Sequence, residues 1–478
     1  MSETGQAAPE APPYSWPEYF QPRVVRPAFG SGKLSAYCIA LEAWRRDLNV
    51  TLIGRRLHYV EVSDGNRTVL FNHSRPVSLT TAAGLRTALN KAATTARLRE
   101  AGISAPVTIR FESTASFEEV SASAAELGYP VVLKPLSGSL GNGVLVDIRD
   151  EEALRASHEW LVNEFGARSF VLENHFTGED YRVYVAGSRY IATVKRVPAN
   201  VVGDGHSTVS ELIQQKNKVR MQNPFLSKGL IRKDREVKTY LEKQDLTYDS
   251  IPENGVTVRL RGKANASAGG DVVDFTDDLP AHIKEAAVQS LAALEGVSAA
   301  GVDILYDPSK PRGEDYVVIE MNSRAHIGVN MYPTEGIGRD VPSAIIDEFF
   351  PGSRRRNIRG LRNIRFNLPE TLEPLANGRA KSVQLASLPA RGFPMRRKLS
   401  LGADLKLTPA QKNRLLALSI KQDISGFLNV RTGELIVAGV EKSVTSFLET
   451  VKTMTGNEPI GNWEWAGILE LGFAIQGE

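Results

Sequence analysis

Three side chains in the third quarter of the sequence have the chemistry of a hard-cation site. Glu320 and Asn322 lie two apart in the run VVIEMN, which reads as a strand, so both point to one face. Asp303 lies in the preceding apolar run AAGVDIL and is the expected partner across the sheet. Two carboxylates and an amide, without His or Cys, suit Mg²⁺, which takes carboxylates, waters and phosphate oxygens. The competing reading is a solvated strand face. The apolar flanks count against it, because a carboxylate buried among them needs a partner.

Lys134 ends a second apolar run, VVLK, and Ser137, Gly138, Gly141 and Gly143 follow. A lysine there can set an ammonium beside phosphates, and a glycine loop lets backbone N–H groups approach them. The spacing G-x-x-G-x-G is neither the dinucleotide fingerprint nor the GK[ST] phosphate loop, so a plain turn competes on equal terms. Glu173, Asn174 and Asp180 flank the junction of two predicted strands in VLENHFTGEDYRV. A hinge backbone with a carboxylate could take adenine and ribose hydroxyls; surface charge is the alternative. Arg182, Arg196, Arg259, Arg261 and Arg324 lie on or beside the same strands, where guanidinium forks could clamp anions. Arg261 stands out because NASAGGD follows it. Of the seven histidines only His326, four residues after Asn322, is a candidate, for substrate binding. There is no G-x-S-x-G elbow and no Cys–His pairing; Cys38 reads as a core residue.

These residues need strands to carry them and helices to cover the strands. SFEEVSASAAELG and EEALRASHEWLVNEFG read as helices around the VVLK strand, and YRVYVAGSRYIATVKRV as a hairpin turning at Gly187–Ser188. AHIKEAAVQSLAALEG, apolar at Ile283, Ala287, Leu291 and Leu294, is the clearest helix. LRTALNKAATTARLREAG reads as one helix ending at Gly102. The pattern predicts a Pro-rich disordered or extended arm over 1–30 and a small α/β domain over 31–88. A larger domain follows over 89–350, with a polar insertion at about 203–255. A basic linker over 351–378 and a compact module over 379–478 complete the chain. The linker carries six arginines and no acid between 351 and 365.

Composition bounds the alternatives. The 478 residues are 42% hydrophobic and 24% charged, as in a globular protein rather than a disordered chain or rod. Lys plus Arg number 58 against 55 acids, a net charge of +3, which argues against a large nucleic-acid footprint. A single cysteine excludes an intramolecular disulfide framework and a cysteine-based zinc site. No apolar run is long enough for a membrane span, and the N-terminus lacks the basic and apolar regions of a signal peptide. The expected location is the cytoplasm, with no nucleic-acid or membrane partner.

The order of the motifs points further. The chain from about 30 to 350 resembles the ATP-grasp carboxylate–amine ligases, most of all cyanophycin synthetase and the ligase part of bifunctional glutathione synthetase. YPVVLKPLSGSLGNGV, then FTGEDYRVYVAGSRYIATVKRVPANVVGDGHSTVSELI, then VRLRGKANASAGGDVVDFTD with AGVDIL and VIEMNSRAHIGVNMYPTEG carry the likeness. The resemblance implies an α+β / α/β protein: an ATP-grasp fold behind an α/β pre-ATP-grasp domain. It implies ATP and two Mg²⁺ ions, with Mn²⁺ able to substitute. Lys91 and Lys134 match its phosphate-binding lysines, Glu173 and Asn174 its adenine hinge, and Asp180 its ribose acid. The loop Ser137, Gly138, Gly141 and Gly143 and the cation Arg196 fall in with the nucleotide. Asp303, Glu320 and Asn322 match its metal set, and Arg261 and Arg324 are the candidate catalytic arginines. SRAHIGVNMYPTEG replaces the more usual Pro- and Gly-containing turn after Asn322, which leaves the substrate open.

The implied reaction activates an amino-acid or peptide carboxylate as an acyl phosphate and joins it to an amine, giving ADP and phosphate. The implied assembly is a homo-oligomer, a dimer or tetramer. The rival reading is a nucleotide-binding regulator with a ligase fold and no turnover. The C-terminal stretch ISGFLNVRTGELIVAGVEKSVTSFLETVK with GFAI resembles an acylphosphatase-like, ferredoxin-like sandwich. Its nearest phosphate-loop equivalent, LPARGFPMRR, contains Pro394, which has no N–H to offer a phosphate, so a docking or recognition module is expected rather than a hydrolase.

Overall fold

The structure is a computed structural model that describes residues 14–30, 32–136 and 143–477. The chain forms two compact units, Met1–Pro17 with Phe71–Glu348, and Glu18–Leu70 with Phe349–Glu478.

The first unit contains two principal sheets. One has four strands in the order Thr108–Glu112, Ser169–Asn174, Val131–Pro135, Leu145–Ile148, all antiparallel. Strand alternation sends Val131, Leu133, Phe170 and Leu172 into a core with Val120 and Ala124 of the helix Phe117–Leu127 and Leu154 of the helix Glu151–Glu159. Thr108, Glu173 and Lys134 are left on the opposite face. The second sheet has five strands in the order Asp271–Asp274, Arg189–Val197, Glu179–Ala186, Ala299–Tyr306, Tyr316–Asn322. The expected hairpin at Gly187–Ser188 is its centre. Tyr181, Val183, Val185, Val302, Ile304 and Met321 pack under Ile283, Ala287 and Leu291 of the helix Ala281–Ala293. One face of this sheet is therefore apolar and covered, and the other carries the charges.

The stretch LRTALNKAATTARLREAG is two helices, Ala82–Leu89 and Lys91–Glu100, rather than one. Asn90 adopts an extended backbone between them, and its Oδ1 accepts the N–H of Ala93 at 3.1 Å as an N-cap. Lys91 thereby becomes the first residue of a helix. The polar insertion is a folded subregion. The helices Val209–Gln222 and Arg235–Glu242 pack Val209, Leu212, Ile213, Val237 and Leu241 onto Val201 and Val258, from the two-stranded ribbon Asn200–Val202 and Thr257–Arg259.

In the second unit every residue of the helix Leu34–Arg45 is buried. Asn49–Ile53 pairs with Tyr59–Ser63 on one side and with Ser382–Gln384 on the other. Ser382–Gln384 thus belongs to that sheet, and the C-terminal module starts at Met395 rather than at 379. From there the strands Met395–Ser400, Ser425–Asn429, Glu434–Gly439 and Ile460–Glu464 run in the spatial order fourth, first, third, second, with Phe473–Gln476 added parallel to the second. The helices Pro409–Lys421 and Glu441–Thr455 complete a ferredoxin-like sandwich. The arginines of LPARGFPMRR after Pro394 lie within the first of these strands, and Asn429 Oδ1 accepts the N–H groups of Arg431 and Thr432 at 3.1 Å each, closing a turn.

Two expectations about irregular chain give way. Over its described residues, 14–30, the arm is built into the fold. Tyr14–Ser15 pairs in parallel with Gly336–Ile337, and Trp16 Nε1 donates to the Pro333 carbonyl at 3.3 Å. Phe20, Val24, Val25 and Ala28 are fully buried in the second unit. The supposed linker 351–378 is also built in. Leu361, Ile364 and Phe366 are buried, and Leu368–Ala376 is a helix. Its arginines are used internally: Arg355 pairs with the fully buried Glu42 at 2.8 Å, and Arg356 donates to the carbonyls of Leu388, Pro389 and Ala390. Among the described residues no helix is long and apolar enough to cross a membrane.

Candidate active site

The face of the five-stranded sheet opposite the helix Ala281–Ala293 carries the candidate residues in register. Asp180 lies opposite Arg196, Arg182 opposite Asp303, and Asp303 opposite Glu320. Asn322 is two residues beyond Glu320 and opposite Gly301. In antiparallel pairs, directly opposed side chains share a face, so this is one row of acids and bases. Arg182 engages Asp303 through both Nε and Nη2, the latter at 2.8 Å from Oδ2. Arg196 bridges two acids, donating to Asp180 Oδ1 from Nη2 at 2.5 Å and lying 3.2 Å from Asp303 Oδ2.

The electrostatics of the two aspartates differ. Burial pushes the Asp303 carboxyl upward, but Arg182 and Arg196 together outweigh it and hold the group below its ordinary value. Burial dominates at Asp180 and raises it, helped by the nearby Asp303 charge and opposed by Arg196. Gly301 is needed for the geometry: a Cβ there would stand 2.8 Å from both Arg182 Cδ and Ala325 Cβ.

The four-stranded sheet brings the second cluster. Lys134 Nζ lies 2.6 Å from Glu173 Oε2, and Thr108 Oγ1 donates to Glu173 Oε1 at 2.9 Å. Thr95 Oγ1 donates in turn to Thr108 Oγ1 at 3.0 Å, which ties the helix Lys91–Glu100 to this sheet. Lys91 is half-buried beside them. Burial lowers its ammonium pKa and the Lys134 charge lowers it further, while Glu320 and Glu173 oppose the shift without cancelling it. The two expected lysines therefore converge, together with Glu173 and with Glu320 of the other sheet. Asn174 Oδ1 accepts the N–H of Val107 at 2.8 Å.

Other expected residues stand differently. Ser137, Gly138 and Gly141 lie outside the described residues. Gly143 has φ +72°, and a Cβ there would come within 2.9 Å of Pro135 and the Phe165 ring, so glycine is required structurally. Arg261 is held by Asp234 and Glu236 from the insertion, not by the acid row. Arg324 is exposed on the turn after the sheet, with its N–H donating to Asn322 Oδ1 at 3.2 Å. Gly301, Thr108, Asp234 and Glu236 had no counterpart among the sequence candidates. Arg182, one of the five arginines expected as anion clamps, sits two residues after Asp180, shares its face and engages Asp303. The partners of Arg261, 25 and 27 residues away, left no such signal.

No group of three or more His, Cys, Asp or Glu side chains able to hold a metal occurs among the described residues. The expected set is two carboxylates and an amide on one sheet face, an all-oxygen donor set of the kind Mg²⁺ takes. Asp303 is kept ionised, as a ligand must be, and the lysine pair beside Glu320 suits the polyphosphate that would accompany the ion. The residues present fit that group.

No family model matches the chain. Cyanophycin synthetase of Trichormus variabilis is 37% identical over 236 residues, covering 48% of this chain and 26% of that protein. The bifunctional glutathione biosynthesis protein of Clostridium perfringens is 29% identical over 336 residues, covering 66% of this chain and 41% of that protein. The crystal structure of a bifunctional glutathione synthetase from Pasteurella multocida is 28% identical with a TM-score of 0.49, covering 62% of this chain and 40% of that one. The chain thus spans between about a quarter and two fifths of the length of these curated relatives. The chain is similar in sequence to cyanophycin synthetase and to the bifunctional glutathione biosynthesis proteins, and its five-stranded sheet carries a row of acids and bases on one face.

Proposed function

We propose that this protein is an ATP-dependent ligase that joins a carboxylate to an amine, with an amino acid or short peptide as the carboxylate. The observation that carries the reading is the meeting of Lys91, Lys134, Glu173 and Glu320 beside the row Asp180–Arg196–Arg182–Asp303. Phosphoryl transfer asks a protein mainly for alignment and charge neutralisation. Lys91 and Lys134 would receive phosphate oxygens, and Asp180 and the Glu173–Asn174 strand end would face the nucleoside. Asp303, Glu320 and Asn322 would hold Mg²⁺. When bound, that ion screens the phosphate charge and polarises the transferring group. Arg196 and Arg182 lie where they could exchange a carboxylate partner for the anionic acyl phosphate.

The test is an ADP-release screen of amino acids and dipeptides in donor and acceptor pairs with Mg²⁺ and ATP, with mass spectrometry of the product. Release that requires both a carboxylate and an amine, with a product mass equal to their sum less water, is expected. Nucleotide binding with no pair-dependent release overturns the reading.

A further inference from the structure

We propose that His326 accepts the proton from the incoming amine; this deepens the ligase reading above and rests on it. An amine arrives at neutral pH as an ammonium ion, with no lone pair to attack. The acid row and its arginines cannot serve as the base. Asp180 and Asp303 are engaged by Arg182 and Arg196, Glu320 stands with the lysine pair, and the guanidinium groups are already protonated, so none is free to accept a proton. A neutral imidazole at the edge of the row can.

The geometry places one there. Asn322 ends the sheet, and the chain turns on its side chain, whose Oδ1 accepts the Arg324 N–H. The next residue is clamped from two sides: Ser74 Oγ donates to the Ala325 carbonyl at 2.5 Å, and Ala325 packs over Gly301. His326 follows immediately and is exposed. The same Ser74 contact sets His73 beside it, with ring centroids 5.4 Å apart and planes at 75°, and Phe225 of the insertion lies 6.4 Å away on another side. The charged groups facing His326 are Arg324 on its own turn and Arg182 from the sheet, with His73 as the titratable neighbour. Crowding by these elements lowers the imidazole pKa, and the two arginine charges lower it further. The ring therefore stands as the free base at neutral pH, beside the arginines that would hold the acyl phosphate.

The step balances. The ammonium gives one proton to His326. The freed nitrogen lone pair then forms the C–N bond to the acyl carbon. Collapse breaks the C–O bond to phosphate, which leaves with the second amine proton, and His326 returns its proton to solvent.

The experiment uses the full chain with ATP, Mg²⁺ and a pool of the proteinogenic amino acids as carboxylates. The nucleophile is either their own amines or added hydroxylamine, which is already neutral at pH 7. His326→Asn should lower amine-dependent ADP release by about 10²- to 10⁴-fold, the usual worth of a positioned base. Hydroxamate formation with hydroxylamine should stay near the wild-type rate. The acidic limb of the wild-type rate–pH profile should disappear in the variant. His326→Gln and the melting curves of both variants separate loss of the base from loss of fold. Equal loss with amine and hydroxylamine in folded variants, or undiminished amine turnover, overturns the inference. A wild-type protein that releases ADP with neither nucleophile overturns the ligase reading instead.

Discussion

Arginine is used in two ways in this protein, and the contrast separates site from scaffold. In the second unit, the fully buried Arg45 donates to main-chain carbonyls: Tyr19 at 2.8 Å, Ile364 at 2.7 Å and Arg362 at 3.4 Å. Arg356 is bound in the same manner to three other carbonyls. In the first unit, Arg182 and Arg196 face carboxylates on the charged sheet face. A carbonyl has nowhere else to turn inside a core, so an arginine bound to it is structural. A carboxylate in the charged row can change partners, to a cation or to a proton, so an arginine bound to it there is exchangeable, whereas the Arg355 pair with the fully buried Glu42 is sealed in like the carbonyl-bound arginines. Arg220 combines both uses. It is buried in the first unit and donates to the carbonyls of Gly229, Ala266 and Gly270, which fixes the loop after Arg261, and also to Asp271 Oδ1 at 3.3 Å.

The largest effect should come from the acid row itself. Glu320→Gln keeps shape and removes the charge next to the lysine pair. ADP release should fall by about a thousandfold, the upper range for losing one preorganised electrostatic group, while the melting temperature hardly moves. A Glu320→Gln protein retaining a tenth of wild-type turnover would sink the site assignment.

The next effects test the two kinds of arginine against each other. Arg45→Met strands buried carbonyls and should cost about 3 kcal/mol of stability, at one to three per unsatisfied group. That cost should not depend on pH, because carbonyls do not titrate. Arg196→Met should behave differently. Removing the guanidinium leaves Asp180, whose carboxyl burial already raises, without its main cation. A carboxyl raised in the folded state contributes stability that is present below the unfolded pKa and is lost as pH rises through the folded one. The penalty of Arg196→Met should therefore be small near pH 4 and grow toward pH 8 in denaturant melts. A pH-independent penalty would mean that Arg196 is scaffold like Arg45.

The sequence made the charged face legible because strand alternation is a local rule. Glu320 with Asn322, and Asp180 with Arg182, share a face through spacing alone, and the apolar flanks indicate that the other face is covered. The helix over Ile283, Ala287 and Leu291 was legible for the same reason. What was not legible depended on distant partners. Arg45 meets the Ile364 carbonyl across 319 residues, so the basic stretch 351–365 looked like a linker by composition. The break at Asn90 was hidden because LNKAAT has no strong helix breaker, and only the capped turn reveals that Lys91 begins a helix. The position of Arg261 depends on Asp234 and Glu236, inside an insertion that read only as mixed and polar.

The smallest effect is kinetic and bears on whether the lysine pair is poised for a polyanion. Burial and then the Lys134 charge depress the Lys91 ammonium pKa, so at pH 8 a larger share of Lys91 is free amine than its ordinary value would give. An amine-acylating reagent at low stoichiometry should label Lys91 severalfold faster than the exposed Lys442, read by peptide mass spectrometry. The neighbours fix the sign of the variants. Lys134→Met removes the like charge, raises the Lys91 pKa and should slow its labelling. Glu320→Gln removes an opposing charge, lowers the pKa further and should speed it. ATP with Mg²⁺ should protect Lys91 in the wild type, because phosphate oxygens would both cover the amine and favour its charged form. Faster labelling in Lys134→Met would show that access, not the second ammonium, governs Lys91, and would remove the electrostatic ground for reading the pair as a phosphate site.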